Sequence, residues 1–236
     1  MLEAEAIRKS FRASGQPVVA VDQVSLTVPA GARVGLVGPS GSGKSTLAQV
    51  MAMLLAPDSG SLTIDGDPVD VWGLRARREL RHRVQLVWQS PRLSVDPRLR
   101  LGEAILEPLA ASRMLPSDAP AVLASWAQRV GLTSDLLERF PHEVSEGQLQ
   151  RACVARALSV KPRYLLCDEL SSMLDVSTQA ALLEAIVDVQ REQELGVLLI
   201  THDRVLASAW CDAVVDIAEL SAPAGHAPEP APAGLG

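Results

Sequence analysis

A glycine-rich turn between two apolar segments constrains the fold of this chain more than any other feature. The turn follows a short apolar run at residues 34–37 and fits the pattern G-x-x-x-x-G-K-[ST] at Gly38, Gly43, Lys44 and Ser45. Apolar residues then recur at helical spacing, at Leu47, Val50, Met51 and Leu54. The sequence therefore predicts a strand, a loop and a helix in that order.

Each position of this pattern has a chemical role in binding phosphate. Glycines let the backbone curl until successive N–H groups point at phosphate oxygens, and the positive end of the following helix adds to the attraction. Lys44 is expected to neutralise the β- and γ-phosphates, and the Ser45 hydroxyl to join a magnesium shell. A chance glycine turn is the alternative, and the flanking strand and helix argue against it. The expected contacts are the loop residues Gly38, Pro39, Ser40, Gly41, Ser42, Gly43, Lys44, Ser45 and Thr46.

Two further apolar runs end in groups that suit phosphate chemistry. "YLLCDE" ends in Asp168, which could hold magnesium through water, and Glu169, which could orient or deprotonate an attacking water. "GVLLITHD" carries His202 at its end. Alone, an acidic pair can cap a helix, and a lone histidine is more often structural. Ligands of open parallel sheets bind beyond the carboxyl ends of the strands, so these ends are expected to share one nucleotide site with Gly38.

Composition narrows the classes of protein that fit. A hydrophobic content of 47% supports one sizeable core, and a net charge of -6 argues against a nucleic-acid surface. The basic stretch 75–83 is expected to form one exposed, solvated helix. The apolar runs are shorter than the roughly 20 residues that cross a bilayer, and two early glutamates do not fit a secretion signal. We therefore expect a cytoplasmic protein.

The cysteines and the last residues of the chain carry no separate chemistry. Cys153, Cys167 and Cys211 are odd in number and widely spaced, which indicates buried thiols rather than a zinc site or a disulfide framework. Residues 221–236 are rich in alanine, proline and glycine. Such a segment cannot bury enough apolar surface to order itself, so it is expected to be a disordered tail.

The stretch "EVSEGQLQR", residues 143–151, predicts the start of a helix. Ser145 and Gln148 fit a capping box, in which each side chain satisfies a backbone N–H of the first turn. Glu146 falls in that turn, where negative charge is favoured. A helix start with free N–H groups is also an anion site, so a cap and a phosphate contact are compatible uses of the same atoms.

Taken in order, these motifs resemble those of ABC transporter ATP-binding subunits, over about residues 2–220. Phe11 matches the aromatic residue that stacks on adenine, and the phosphate loop "GPSGSGKST" follows it. Gln89 then matches the Q-loop, and "VSEGQ" the signature, with Glu146 in place of the usual glycine. "LLCDE", the D-loop "SMLD" at 172–175 and the switch histidine His202 complete the set.

The resemblance implies an α/β P-loop NTPase fold with an N-terminal antiparallel β subdomain. A RecA-like core at about 1–90 and 161–220 would be interrupted by a helical subdomain at about 91–160. Independently, the segment 117–132 has a serine start, a glycine stop at Gly131 and apolar residues one turn apart. The domain is expected to end near residue 220, before the tail.

In this family two subunits sandwich two ATP molecules, so the resemblance also implies roles and partners. Glu169, His202 and Gln89 would be catalytic, and Ser45, Gln89 and Asp168 would hold Mg²⁺. From the partner's side, Ser145, Gly147 and Gln148 would close the site, and Asp175 would connect the two sites. The implied partners are a second ATPase subunit, identical or different, a transmembrane permease and, indirectly, a solute-binding protein. No nucleic acid is implied, and the chain would lie peripherally on the cytoplasmic face of the plasma membrane.

The segment 88–109 resembles ATPases of the peptide and nickel importer family. "DELSSMLD" lacks the proline common at this point, as in some nickel-importing members, so nickel or another metal chelate is favoured over peptides. Two other functions fit parts of the sequence. One is a soluble ABC ATPase acting on DNA or ribosomes, whose usual insertions are missing. The other is a degenerate or regulatory half of a heterodimer, suggested by Glu146 and by the missing glycine hairpin after "WCDAVVDIAEL", residues 210–220. The retained Lys44, Asp168 and Glu169 argue against degeneracy, and we predict that Glu146 points outward.

Overall fold

The strands of the computed structural model, which describes residues 1–13, 15–73, 76–170 and 176–220, form two sheets. The smaller sheet is antiparallel, with strand order β2-β1-β4-β5. Its strands are β1 (Leu2–Ala13), β2 (Gln16–Val28), β4 (Ser59–Ile64) and β5 (Asp67–Pro68).

The larger sheet is parallel, with strand order β6-β7-β8-β3-β9. Its strands are β3 (Arg33–Val37), β6 (Val84–Val87), β7 (Tyr164–Asp168), β8 (Gly196–Thr201) and β9 (Ala213–Asp216). The pairs Asp168↔Ile200, Val37↔Thr201 and Val37↔Asp216 bring the carboxyl ends to one edge. Every residue of β7 and β8 is buried, as expected of central parallel strands covered on both faces.

Nine α-helices connect these strands within the described ranges. Four of them, α3 to α6, lie in the chain between β6 and β7, where residues 88–163 contain no strand. Each of the other five α-helices follows or precedes a strand of one of the two sheets. The helices are α1 (Lys44–Met51), α2 (Arg78–Arg83), α3 (Leu101–Ala111), α4 (Ala119–Arg129), α5 (Ser134–Leu137), α6 (Glu146–Ser159), α7 (Val176–Gln193), α8 (Arg204–Trp210) and α9 (Ile217–Leu220).

Alternation along the central strands divides the core between the two faces of the parallel sheet. In β7, Leu165 and Cys167 pack with residues of α3, α6 and α7, whereas Tyr164 and Leu166 pack with α1 and the antiparallel sheet. The same alternation runs through β8, because successive side chains of a strand point to opposite faces. Both faces of the sheet are therefore closed, and its carboxyl edge is the place where polar side chains emerge.

Local details differ from the sequence predictions at four places. The side chain of Asp118, not Ser117, caps α4 by accepting from the Ala121 N–H at 3.3 Å. A cap at Ser117 would lack one of its two usual donors, the N–H of residue 120, because that residue is a proline. The α4 chain reverses at Gly131, with φ 68°, as predicted.

The other three differences concern the lengths of two predicted helices and the burial of one cysteine. Helix α1 ends at Met51, and Leu54 lies beyond it, half-exposed. Within 76–83, the described part of the predicted basic stretch, helix α2 covers Arg78–Arg83, and its Leu80 is buried. Of the three cysteines, Cys211 is only partly buried.

Candidate nucleotide-binding site

The phosphate loop connects the carboxyl end of β3 to the start of α1, and two of its glycines have no room for a side chain. A Cβ on Gly43, where φ is 93°, would lie 2.0 Å from the Ala20 carbonyl oxygen. On Gly38, with φ 152°, it would lie 2.7 Å from Ile217 Cγ2. The loop is therefore pressed against β2 and α9, and only glycine fits at these two positions.

Lys44 is the first residue of α1 and places its ammonium group inside the loop. Its side chain is buried, and Nζ donates to the Gly38 and Pro39 carbonyl oxygens, each at 2.8 Å. A buried cation requires such partners. The loop thus holds one full positive charge at the carboxyl edge of the sheet, beside the N–H groups that begin the helix.

Asp168 ends β7 and points a carboxylate into the same region. The residue is 4% exposed, and its Oδ1 is buried without a hydrogen-bond partner among the described residues. Burial raises the pKa of Asp168, a hydrogen bond with Ser45 lowers it, and the charge of Glu169 raises it again. A buried carboxylate oxygen with an unused acceptor is a costly group unless a cation binds it.

These groups fit Mg²⁺. The ion prefers hard oxygen ligands and is usually bound by one or two carboxylates together with waters and substrate phosphates. Asp168 supplies a carboxylate oxygen, and the adjacent Ser45 supplies a hydroxyl. Nowhere in the described part of the chain do three or more His, Cys, Asp or Glu side chains group as a self-sufficient metal site. Phosphate and water would therefore complete the shell.

Glu169 is the point at which two predicted catalytic residues meet. Gln89 Nε2 donates to Glu169 Oε2 at 3.1 Å, and His202 Nδ1 lies 3.3 Å from Glu169 Oε1. The Glu169 backbone has φ 49°, a rare value for a side-chain-bearing residue, and its N–H donates to the Ile200 carbonyl at 3.0 Å. The turn at the end of β7 thus holds the carboxylate between residues that follow its two neighbouring strands, β6 and β8.

A cavity of about 260 Å³ joins the phosphate loop to Gln89 and Glu169. Sequence reasoning missed one residue of its wall, Ala20. The β1–β2 register shifts between Lys9 and Ser10, which places a bulge of β2 against the loop, and bulges are frequent beside functional sites. No sequence motif marks this contact. The lining residues are Ala20, Ser40, Gly41, Gly43, Lys44, Ser45, Thr46, Gln89 and Glu169.

Phe11 lies near the end of the β1–β2 hairpin, on the strand pair that carries Ala20. It pairs with Val18, and both side chains are exposed, by 43% and 50%. Lys9 Nζ is 5.9 Å from the centroid of the Phe11 ring. The hairpin thus presents an aromatic ring to solvent, where a base can stack on it.

The predicted signature residues lie at the start of α6 and do not line the cavity of their own chain. The Ser145 hydroxyl accepts from the Gln148 N–H at 3.2 Å, and the Gln148 side chain accepts from the Ser145 N–H at 2.9 Å. This is the predicted capping box. Gly147 follows Glu146 in the first turn, and Glu146 is partly exposed. Asp175 and the rest of 172–175 lie outside the described residues.

Comparison with known proteins identifies the relatives of this chain. The family model described as "ABC transporter" matches residues 21–172. A putative peptide import ATP-binding protein of Brucella abortus (strain 2308) is 42% identical over 192 residues, covering 80% of this chain and 58% of the relative. The glutathione import ATP-binding protein of Escherichia coli (strain K12) is 38% identical over 187 residues, covering 79% of this chain and 30% of the relative. The chain therefore spans between about a third and somewhat over half of these relatives.

Solved structures share the fold. An ATP-binding cassette in a dimeric post-hydrolysis state with ADP and Pi superposes with a TM-score of 0.81 at 24% identity, covering 92% of this chain and 94% of that one. CbiO1 from Clostridium perfringens, part of an ABC transporter complex, gives a TM-score of 0.75 at 25% identity, with 91% and 83% coverage. The predicted fold, with a parallel sheet and an N-terminal antiparallel sheet, is confirmed.

Proposed function

Since this chain belongs to the ABC transporter family, we propose that it is the subunit that binds and hydrolyses ATP to power an importer. One observation supports this most. Gln89 and His202, from different elements, both contact the carboxylate of Glu169 at the sheet edge that also carries the phosphate loop. The domain division at about residues 90 and 160 is part of the same proposal.

In the proposed reaction the chain positions phosphate and water. The loop N–H groups and Lys44 hold the β- and γ-phosphates, and Phe11 stacks on the adenine. Asp168 and Ser45 would hold Mg²⁺ with Gln89 beside them, and the ion supplies charge neutralisation at the phosphates. Glu169 accepts hydrogen bonds from water and takes its proton as the water attacks. Gln89 and His202 fix the direction of the Glu169 carboxylate, and His202 reaches toward the γ-phosphate.

A second subunit would complete the site. Ser145, Gly147 and Gln148 lie at the start of α6, and the structure does not bring them to the phosphate loop of the same chain. Free N–H groups at a helix start attract anions, so these residues suit the γ-phosphate held by another copy or by a related subunit. Asp175 would connect the two sites.

The test is steady-state ATP hydrolysis by purified chain, with and without Mg²⁺. Changing Gln89→Ala or His202→Ala should slow turnover by about tenfold or more while ATP binding persists, because each removes a group that orients the general base. The matched control is His142→Ala, an exposed histidine away from the cavity. Equal turnover in all three variants would contradict the proposed arrangement, and no Mg²⁺-dependent turnover in the unmodified chain would favour the regulatory alternative.

The transported solute is proposed at the level of a class. The relatives are named for import of peptides and of glutathione, which favours small peptides. The expectation of nickel or a metal chelate rests on the missing proline in "DELSSMLD" and stays a prediction. Uptake of a labelled dipeptide and of nickel, measured in a strain lacking this chain, separates the two. Loss of dipeptide uptake alone supports the peptide class, and loss of nickel uptake alone overturns it.

A groove of about 360 Å³ between α2 and α3 is the proposed docking site for the permease. Trp88, which precedes the catalytic Gln89 in the chain, lines this groove, so a segment bound there would lie beside the site. Arg78 and Arg81 also line it and form no ion pair with any residue that the structure describes. The Arg81 Nε is buried without a hydrogen bond. The charge of the groove therefore suits a cytoplasmic permease segment with an acidic side chain.

None of the described helices has the length and hydropathy needed to cross a membrane. Docking through the groove would place the chain peripherally on the cytoplasmic face of the plasma membrane, and a solute-binding protein would act on it only through the permease. Co-purification with the permease of the same transport system tests this. Arg78→Glu with Arg81→Glu should lower permease recovery at least tenfold, whereas Arg191→Glu, at an exposed position of α7, should not. Equal recovery of permease with both variants would contradict docking in the groove.

A further inference from the structure

The strand that carries Phe11 extends beyond the sheet that supports it. Pairing between β1 and β4 ends at Arg8↔Ser59, whereas pairing between β1 and β2 continues to Ala13↔Gln16. Beyond Arg8, the hairpin therefore has a strand neighbour on one side only among the described residues. An isolated two-stranded hairpin is marginally stable in water. The ring of Phe11 needs a further constraint if it is to offer a fixed face to a base.

Asp58, immediately before β4, supplies that constraint. Its Oδ2 accepts from the Ser10 N–H at 2.7 Å and from the Ser10 hydroxyl at 2.6 Å, and its Oδ1 accepts from Lys9 Nζ at 2.9 Å. Its own N–H donates to the Arg8 carbonyl at 2.8 Å. The Asp58 side chain thus bonds to the Ser10 backbone, where a further β4 residue on the N-terminal side of Ser59 would otherwise pair with β1.

We propose that Asp58 is a positioning residue for the base subsite, which holds Phe11 in place through Lys9 and Ser10. The inference rests on the proposed function, because it takes ATP as the ligand and Phe11 as its stacking partner. Lys9 links the two groups directly, since its ammonium contacts Asp58 and lies 5.9 Å from the Phe11 ring centroid. Asp58 acts through these neighbours and touches neither phosphate nor metal.

The charge of this anchor is permanent at physiological pH. Hydrogen bonds from the Ser10 and Lys9 side chains lower the pKa of Asp58 to about 2. Charge-assisted hydrogen bonds are roughly twice as strong as neutral ones, so Asp58→Asn weakens the anchor and Asp58→Ala removes it. Neither change alters a residue that lines the phosphate cavity. Both substitutions are therefore expected to weaken binding of the base and to leave binding of the phosphates nearly unchanged.

The expected result is a selective loss of affinity for the base. Asp58→Ala should weaken Mg-ATP binding about three- to tenfold, the range that one aromatic stacking contact provides. Binding of Mg-tripolyphosphate, which has no base, should change less than about twofold. Asp58→Asn should fall between the unmodified chain and Asp58→Ala. A merely structural defect would weaken both ligands together, so the ratio of the two affinities is the diagnostic quantity.

The experiment measures both affinities by calorimetry on the full chain. Asp22→Ala is the matched control, because Asp22 lies on the same hairpin and forms an exposed ion pair with Arg8 at 3.7 Å. A Phe11→Ala background completes a double-mutant cycle. Adding Asp58→Ala there should change ATP binding less than about twofold, because no ring remains to be positioned.

Four outcomes overturn the inference, and one of them also removes the proposed function. If Asp58→Ala leaves the ATP-to-tripolyphosphate ratio unchanged, or lowers ATP affinity as much without Phe11 as with it, Asp58 does not position the ring. If Phe11→Ala weakens ATP binding and Asp58→Ala does not, the inference fails and the proposed function stands. If the unmodified chain does not bind ATP, both fail.

Discussion

Carboxylates lie at both edges of the parallel sheet, but they differ in whether their oxygens have hydrogen-bond partners among the described residues. At the amino edge, Asp65 accepts from the Tyr164 hydroxyl at 2.5 Å, and Asp212 accepts from the Arg33 backbone at 2.8 Å and its side chain at 2.7 Å. At the carboxyl edge, Asp168 keeps a buried oxygen without a partner among the described residues. At the amino edge, the carboxylates accept hydrogen bonds and thereby hold strands together.

Asp65 and Asp212 at the amino edge are engaged by their neighbours, whereas Asp168 at the carboxyl edge keeps unused hydrogen-bonding capacity. Such groups cost stability unless a ligand uses them, and they concentrate at functional sites. The comparison shows that the functional site is marked by a charged group that lacks a hydrogen-bond partner, and not simply by the presence of charged groups. It also predicts that substitutions at the two edges have separable effects.

The largest effect is expected from Gly43→Ala at the carboxyl edge. The added Cβ would lie 2.0 Å from the Ala20 carbonyl oxygen, so the loop must move, and ATP affinity should fall by about 100-fold or more, about 2.7 kcal/mol. Gly66→Ala is the control, since Gly66 has a similar φ of 84° and a Cβ added there would meet no atom within 4 Å. Calorimetric ATP binding checks both, and equal affinities would show that the loop tolerates the side chain.

At the amino edge, Tyr164→Phe should reduce stability and leave ATP affinity unchanged. The Tyr164 side chain is fully buried, and losing one hydrogen bond to a carboxylate costs about 1 to 2 kcal/mol. Urea denaturation measures the free energy of unfolding. A fall in ATP affinity without a fall in stability would contradict the separation of the two edges.

The same pair predicts a pH dependence. Burial opposes ionisation of Asp65, but hydrogen bonds from Tyr164 and the chain's amino group, with the charge of Arg163, hold the pKa of Asp65 below its ordinary value. The resulting stability is present above the unfolded pKa of about 4 and is lost as the pH falls through the lower folded value. Tyr164→Phe should therefore lose less stability than the unmodified chain on acidification, as urea midpoints between pH 6 and pH 3 would show.

Most of the functional residues at the carboxyl edge can be predicted from the sequence, because they lie in short motifs. The glycine pattern, the acidic pair and His202 each follow or precede a recognisable apolar run, and parallel topology brings them together. Other contacts depend on the fold itself. The Ala20 bulge against Gly43 and the Asp58 anchor join residues more than twenty positions apart, and no local pattern encodes them. The predicted cap at Ser117 is wrong, since Asp118 caps the helix instead, and Pro120 lacks one of the two N–H groups that a Ser117 cap would use.

The smallest effect is expected at the start of α6, where the charge of Glu146 belongs to neither edge. If this carboxylate faced a partner's γ-phosphate at about 8 Å, repulsion would be about 2 kcal/mol at an effective dielectric near 20. We predict an outward side chain, so Glu146→Gly should change ATP turnover less than about twofold. A gain of tenfold or more would show that the acid weakens the signature.

The central claim, that the carboxyl edge is a working hydrolysis site, is tested most directly by Mg²⁺-dependent ATP turnover in Glu169→Gln. The change keeps the size and the hydrogen-bonding shape of the side chain but removes the base, so turnover should fall at least about 100-fold while ATP still binds. Glu184→Gln, on the exposed surface of α7, should retain full turnover. Hydrolysis by Glu169→Gln at the rate of the unmodified chain would contradict the account.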